Sequence, residues 1–383
     1  MKKKIMAFLT LSAIAATFTL GACNGTPEWE IRKFYNVMNT GASLIIFKDG
    51  KDGNKRFEEL CNQTEGVLRD LDNSLSVTAE TSSIYKFNVA SAGEYVEIDK
   101  TAYEVLTVAK TVYQTTDGYY NPAVYYNVQA FGFDGGNYPK TADGLPKDED
   151  IAKYNELSAR FEEVELKEQD GKYYAVKPDF TVNTDGKTYS MKIDLGGIGK
   201  GYAVDKVDAL IESYGFKYGY FDFGSSSLSF KAFNKSRGWD LQPVNARDQL
   251  KKGAYAKVTV SNTCVSTSGD YEQFYTIDGT RYCHVCNPAT GKPVQTGIMT
   301  ATVIGGTATE NDALTTALMA MGKENAVKFI NEKLPDRQVI MSLELSAGKY
   351  AIITNIPADK FTVLSDNFTV LNALKDGKIV LGE

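Results

Sequence analysis

Alternating apolar and polar positions predict strands over 43–47, 218–223, 257–260, 274–277, 299–304, 338–343 and 350–354. Between them the apolar period lengthens to that of a helix. It does so over 57–71, over 102–114 (where Tyr103, Val105, Leu106 and Ala109 fall near helical spacing), over 202–214 with Gly215 as its stop, and over 310–321 and 323–334. Two β-prone runs, 160–166 and 172–177, flank Gln169-Asp170-Gly171 and predict a hairpin. Residues 133–150, rich in Gly, Pro and Asp, predict the longest loop. Strands interrupted by helices, without regular βαβ alternation, describe an α+β fold with mixed, largely antiparallel sheets and flanking helices. No repeat and no internal linker divides it, so 31–383 reads as one domain.

The first thirty residues depart from that pattern. Lys2-Lys3-Lys4 precedes an apolar run from Ile5 through Leu20, the layout of an export signal over 1–22. Leu20-Gly21-Ala22-Cys23 resembles the lipobox of bacterial lipoproteins, which implies lipidation of Cys23 and a short tether over 23–30; a plain secretory signal is the alternative. The expected location is extracytoplasmic, lipid-anchored to a bacterial cell membrane and on its periplasmic face if the cell has two.

Composition narrows the chemistry. At 43% hydrophobic and 23% charged, 383 residues suffice for a folded core. Acids outnumber bases 48 to 42, a net charge of −6 that argues against nucleic acid as the main partner. There is one histidine, His284, so His-rich metal sites and mechanisms needing two imidazoles are excluded. Beyond Cys23 stand Cys61, Cys264, Cys283 and Cys286. Strand alternation through Cys283-His284-Val285-Cys286 would put the last two thiols on opposite faces, which favours packing over a redox pair or zinc chelate.

Three segments carry candidate chemistry. Asp194-Leu195-Gly196-Gly197-Ile198-Gly199-Lys200-Gly201 runs into the 202–214 helix; its glycines admit a ligand close to the backbone, the helix start favours an anion, and Lys200 offers a point charge. The same run also reads as a flexible turn. Asp312 and Thr316, four apart, share a helix face and suit a Mg²⁺ completed by water and phosphate oxygens; ordinary capping by Thr309 is the alternative. His284, close to the turn Asn287-Pro288-Ala289-Thr290-Gly291, lies where strand ends place reactive groups, or else is a structural histidine.

In this order the segments resemble the ApbE family of FAD:protein FMN transferases. Met38-Asn39-Thr40, Ser83-Ile84-Tyr85-Lys86-Phe87-Asn88, Thr116-Asp117-Gly118-Tyr119-Tyr120-Asn121-Pro122 and Asp222-Phe223-Gly224-Ser225 extend the resemblance from about Tyr35 to about Met341. It implies a T-fold-like domain that binds FAD with Mg²⁺, breaks the pyrophosphate, joins FMN by a phosphoester to Thr or Ser of an exported protein, and releases AMP. It implies FAD contacts from Met38, Tyr119, Tyr120, Asn121, Asp194, Lys200 and Cys286, and Mg²⁺ ligation by Asp312, Thr315, Thr316 and the Gly197 carbonyl. His284 and Lys200 take the catalytic positions. The implied acceptors are subunits of sodium-pumping NADH:quinone reductase or related electron-transfer complexes. Asn39 replaces the family's usual Gly, Asn121 and Asn287 its usual Asp, and Gly224-Ser225-Ser226 its Gly-Gly-Asn run. A Mg²⁺-dependent FAD hydrolase and a non-catalytic FAD-binding lipoprotein are the competing readings.

Overall fold

A computed structural model describes residues 28–48, 52–248 and 253–382. The export signal and Cys23 lie outside the described residues. The main sheet has nine strands whose spatial order is their chain order: β1 (Glu28–Val37), β2 (Thr40–Lys48), β3 (Gly219–Phe223), β4 (Ser227–Phe230), β5 (Thr263–Gly269), β6 (Ile298–Ile304), β7 (Gln338–Ser346), β8 (Lys349–Thr354) and β9 (Phe368–Val370). Every pairing is antiparallel except β8 with β9. β1 begins at Glu28, so the last residues of the expected tether already belong to the sheet.

Most helices enter as one insertion between β2 and β3: α1 (Gly53–Leu75), α2 (Ser83–Val89), α3 (Lys100–Thr115), α4 (Tyr125–Ala130), α5 (Asp148–Ser158) and α6 (Gly196–Ser213). The last, α7 (Ala308–Lys333), links β6 to β7. Gly322, at φ 74°, breaks it where the sequence predicts two helices. Among the described residues no helix is long and apolar enough to cross a membrane.

The helices cover one sheet face, joining Leu44, Ile46, Phe57, Phe221, Val303 and Leu318 in the larger core. The other face is closed by a small sheet of Trp239–Leu241, Ala256–Val260 and Phe361–Val363. All seven residues of β6 are buried, the polar Thr300 and Thr302 of its alternation included, because this central strand is covered on both faces. The expected loop is shorter than its composition suggests. Residues 131–138 pack their aromatic rings on the hairpin Phe274–Ile277/Thr280–Cys283, with Phe133 stacked on Tyr275 at 5.6 Å, and α5 starts at Asp148.

Candidate active site

Helix α6 starts at Gly196, inside the glycine cluster, and not at Tyr202 as the spacing predicts. Each glycine there costs about 1 kcal/mol of helix propensity relative to alanine; tertiary packing outweighs it. A Cβ on Gly201 would stand 2.1 Å from the Ala308 carbonyl oxygen, so α6 and α7 meet backbone to backbone at a point only glycine permits. The Gly201 N–H donates to Asp312 Oδ2 at 3.0 Å, fixing one carboxylate oxygen of the metal candidate. A Cβ on Gly197 would lie 3.6 Å from Thr316 Oγ1 and 3.8 Å from the Tyr120 ring, which brings those three residues together. Met38 reaches the same turn from the β1–β2 connection, where it holds φ 45°; its Cε lies 3.0 Å from a Cβ placed on Gly199.

The start of α7 is held in two ways. Its N-cap is Thr307, whose hydroxyl accepts from the Glu310 N–H, and not Thr309. Asp205, from the middle of α6, accepts from the backbone N–H groups of Ala308 at 2.8 Å and Thr309 at 2.9 Å. From Asn311 to Met321 all residues are buried except the half-buried Thr316, so that side chain is what this stretch leaves accessible. Thr315 is fully buried: its Oγ1 donates to the Asp312 carbonyl at 2.8 Å and shares a hydrogen bond of 2.8 Å with Ser268 Oγ. Ser268 also lies 3.3 Å from Thr316 Oγ1. Thr315 thus stands behind the proposed ligands, where it orients Ser268 and the helix turn.

Opposite α7, the Thr116–Pro122 loop carries the expected flavin contacts. Asn121 Nδ2 donates to the Ser158 carbonyl at 2.9 Å and its Oδ1 accepts from the Ala123 N–H at 2.9 Å, so the side chain builds the loop. Tyr119 OH accepts from Asn325 on α7. Tyr120 is buried with its hydroxyl unpartnered, and burial, Asp312 and Asp194 all hold that phenol above its usual range. The Asp194 N–H donates to the Pro122 carbonyl at 2.9 Å, tying this loop to the start of α6. Asp194 Oδ1 accepts from the Gly196 N–H at 2.7 Å. The side chain is reached by solvent but walled by protein; that surrounding raises its pKa, against the Gly196 bond and the Lys200 charge. Lys200 Nζ donates to the Gly196 carbonyl at 2.9 Å, folding its ammonium over the first turn of its own helix.

His284 does not continue a strand. The hairpin strand ends at Cys283, and a two-residue ladder, Cys286–Asn287 with Lys292–Pro293, begins after Val285. The His284 N–H donates to the Gln273 carbonyl at 3.1 Å, which pins the break. The ring is half-buried with Nδ1 unpartnered, and burial lowers its pKa; Glu272, the Gln273 carbonyl and Asp270 oppose that fall, while Lys200 adds to it. Cys283 and Cys286, on either side of the interruption, are both buried. They and Cys61 and Cys264 are free, and burial pushes Cys283 to about 11 and Cys286 higher still, so Cys286 is suited to packing on a ligand and not to nucleophilic attack. Asn287 donates to the Ala320 carbonyl at 3.4 Å and accepts from the Ala289 N–H at 2.9 Å. At both 121 and 287, then, the amide supplies a donor that a carboxylate lacks.

The structure therefore gathers Met38, Tyr120, Asp194, Gly197, Lys200, Asp312 and Thr316 around the start of α6, with His284 close enough to feel the Lys200 charge; Tyr119 instead meets Asn325 on α7. Among the described residues no three His, Cys, Asp or Glu side chains converge as a metal cage. Asp205 escapes the sequence reading, and Ser268, which belongs to the segment Val265-Ser266-Thr267-Ser268-Gly269-Asp270-Tyr271 that precedes His284, is given no role by it. Asp205 had a signal, since it lies one helical turn beyond Gly201 on the same face; the partner of Ser268 had none, because Thr315 lies 47 residues away on a helix.

An in-order, largely antiparallel sheet with helices packed on one face, and a glycine-rich helix start suited to an anion, define the class: an α+β protein with a candidate anion site. The ApbE family model matches residues 38–341, and the chain belongs to that family. It is 26% identical over 335 residues to the FAD:protein FMN transferase of Salmonella typhimurium, covering 86% of this chain and 91% of the relative. The relative of the same name from Treponema pallidum is 27% identical over 275 residues, 70% of this chain and 72% of its own. Among solved structures, the apo form of Pseudomonas stutzeri flavinyl transferase ApbE superimposes with a TM-score of 0.71 at 21% identity, over 85% of this chain and 94% of that one. The flavin transferase ApbE from Vibrio cholerae gives 0.68 at 20%, over 85% and 97%.

Proposed function

We propose that this chain is a Mg²⁺-dependent FAD:protein FMN transferase that joins FMN through a phosphoester to a Thr or Ser hydroxyl of an exported acceptor and releases AMP. The observation that carries the reading is the meeting of Asp312 and Thr316 with the glycine-rich start of α6, whose Lys200 charge reaches the molecule's one imidazole. Membership of a family whose relatives are named for this reaction supports it.

The donor set fits Mg²⁺. Asp312, Thr316 and the Gly197 carbonyl are all oxygen ligands and too few for an octahedron, leaving positions for water and phosphate. The unpartnered Tyr120 hydroxyl, beside Asp312 and Asp194, is a polar group that a ligand here would satisfy. Bound there, the ion neutralises charge on the pyrophosphate.

The chain's own groups do the rest. Burial keeps His284 neutral, able to take the proton of the acceptor hydroxyl as its oxygen bonds to the phosphorus of the FMN half. The bond from that phosphorus to the bridging oxygen breaks, and AMP leaves with the electron pair. Lys200 and the N–H groups at the start of α6 face the charge that develops. Tyr119, Tyr120 and Met38 give the flavin apolar surface.

Incubating the mature protein with FAD, Mg²⁺ and a Thr-bearing acceptor tests this, with AMP read by chromatography and the acceptor by mass. AMP with an acceptor heavier by one FMN is expected. His284→Ala or Asp312→Ala is expected to lose at least about 10²-fold in rate. AMP with free FMN alone would make the protein a hydrolase, and bound FAD without AMP a binder. The location belongs to the same proposal: an exported acceptor requires an exported enzyme, anchored through Cys23, and Cys23→Ala should move it from the membrane to the soluble fraction.

A further inference from the structure

Both tryptophans of the chain, Trp29 and Trp239, sit in one aromatic cluster that the transfer chemistry leaves unused. Trp29 lies 5.5 Å from each of the Phe47, Phe233 and Trp239 rings, and Tyr218 meets Phe47 at 6.1 Å. Trp239 is buried, whereas Trp29, Phe47, Tyr218 and Phe233 are half-buried. Ile31, on the same face of β1 as Trp29, is 52% exposed. The cluster stands at the end of the main sheet where β1 begins and β2 ends, since Trp29 pairs with Phe47. Met38 and the start of α6 lie at the other end of that hairpin.

Cations frame the rings. Lys235 and Arg237 belong to a turn closed by the Phe233 N–H on the Arg237 carbonyl at 3.0 Å, the Arg237 guanidinium lies 5.4 Å over the Phe233 ring, and Lys217 precedes Tyr218. Two carboxylates of this end are already matched, Glu30 by Lys48 and Asp240 by Arg237, each at 2.9 Å. Asp52 opposes the cations from the α1 side, where Gly53 packs on Lys48. Lys217 and Lys235 are exposed, and among the described residues no carboxylate stands at ion-pair distance from either.

The chain itself says what this end meets. Six steps separate Cys23 from Trp29, at most about 21 Å of extended chain, and β1 is paired with β2 from Glu28 onward. An acyl group on Cys23 therefore keeps the cluster within that reach of a bilayer. Rings that are half apolar and half wet, set beside lysines, suit the headgroup layer of an anionic membrane.

We infer that this end of the sheet rests on an anionic lipid surface, with Trp29 and Phe233 among the headgroups and Lys217 and Lys235 on their phosphates. The inference rests on the anchoring through Cys23 proposed above and is independent of the transfer step. It stands the strands upright. Because β1 rises about 30 Å over its ten residues, Met38 and the start of α6 are held about that far from the lipid.

The test uses the lipidated protein reconstituted into vesicles of phosphatidylcholine, alone or mixed with phosphatidylglycerol, with and without bromine on the acyl chains near the headgroup. With both tryptophans in the cluster, intrinsic emission reports on it alone. Brominated lipid should quench that emission on phosphatidylglycerol vesicles, and less so on phosphatidylcholine or in high salt. Lys217→Glu combined with Lys235→Glu should remove more than about half of the quenching. The Tm and the release of AMP should stay unchanged, which shows that the variant folds. Equal emission from brominated and plain vesicles overturns the inference, and so does quenching that survives the double substitution in full. The mass of the N-terminal peptide reads the anchor separately. If Cys23 carries no acyl group, the same protein is added to preformed vesicles: lysine-dependent quenching then overturns the anchor and leaves the lipid surface standing, and its absence overturns both.

Discussion

Burial and the Lys200 ammonium disfavour a second proton on His284, while Glu272, the Gln273 carbonyl and Asp270 favour it, and the net shift is downward. A lowered imidazole pKa keeps the neutral base populated into mildly acid solution. Transfer limited by this base should therefore rise with pH through a midpoint below the ordinary ~6.5 and stay level above it. Glu272→Gln removes the largest opposing charge and should move the acid limb to lower pH. A profile of kcat/KM for FAD against pH checks both, and a limb that Glu272→Gln moves upward, or that His284→Ala leaves in place, contradicts the assignment. At this scale the sequence was informative about identity and poor about duty. Asp312, Thr316 and Lys200 lie at the start of α6, and the Lys200 charge reaches His284. Asn121 and Thr315, marked as ligand contacts by the same reasoning, spend their polar atoms on the Ser158 and Asp312 carbonyls, which no motif encodes.

Helices α6 and α7 are the elements on which the site depends, and they are joined at Gly201 and Asp205. Gly201→Ala would gain about 1 kcal/mol of helix propensity but force a methyl against a backbone oxygen that cannot turn away. Overpacking of this kind costs about 1–3 kcal/mol or more, so the clash wins. Denaturant unfolding should read a net loss of about 2 kcal/mol, and FAD cleavage should fall with it because the Gly201 bond to Asp312 is strained. Asp205→Ala leaves two N–H groups at the start of α7 without acceptors. A loss of about 2–3 kcal/mol is expected, with Asp205→Asn nearer to the unaltered protein. Equal stability of all three proteins would contradict the docking role. The element pattern itself was legible where an apolar period ran long, as in α1, α3 and the two halves of α7. It failed where packing overrides propensity, at the glycine start of α6. It failed also where a signal was passed over, in α5, whose buried Ile151, Tyr154 and Leu157 recur at helical spacing behind an acidic first turn.

The whole molecule is an in-order sheet with nearly all its helices in one insertion, and that order was not legible: strands 43–47 and 218–223 are neighbours although some 170 residues separate them. Its pH response is set partly by Lys177, which belongs to no motif, is 1% exposed, and donates to the Asn88 and Ala90 carbonyls at the end of α2. Burial lowers this lysine to about 8, with Lys192 adding to the effect. Below pH 8 it is charged in both the folded and unfolded chain and its burial cost is fully present; between about 8 and 10.5 only the unfolded chain holds the proton, so stability rises with pH. Unfolding free energies at pH 7 to 10 should show Lys177→Met removing that rise, about 3 kcal/mol in all; parallel curves would contradict it. A last consequence follows from the break in which His284 sits. Because no other histidine exists, a proton NMR spectrum in D₂O holds one pair of imidazole ring signals, and that pair belongs to the cleft. Flavin, metal and acceptor should each displace it, so the unlabelled protein carries its own titration indicator for every ligand the reaction needs.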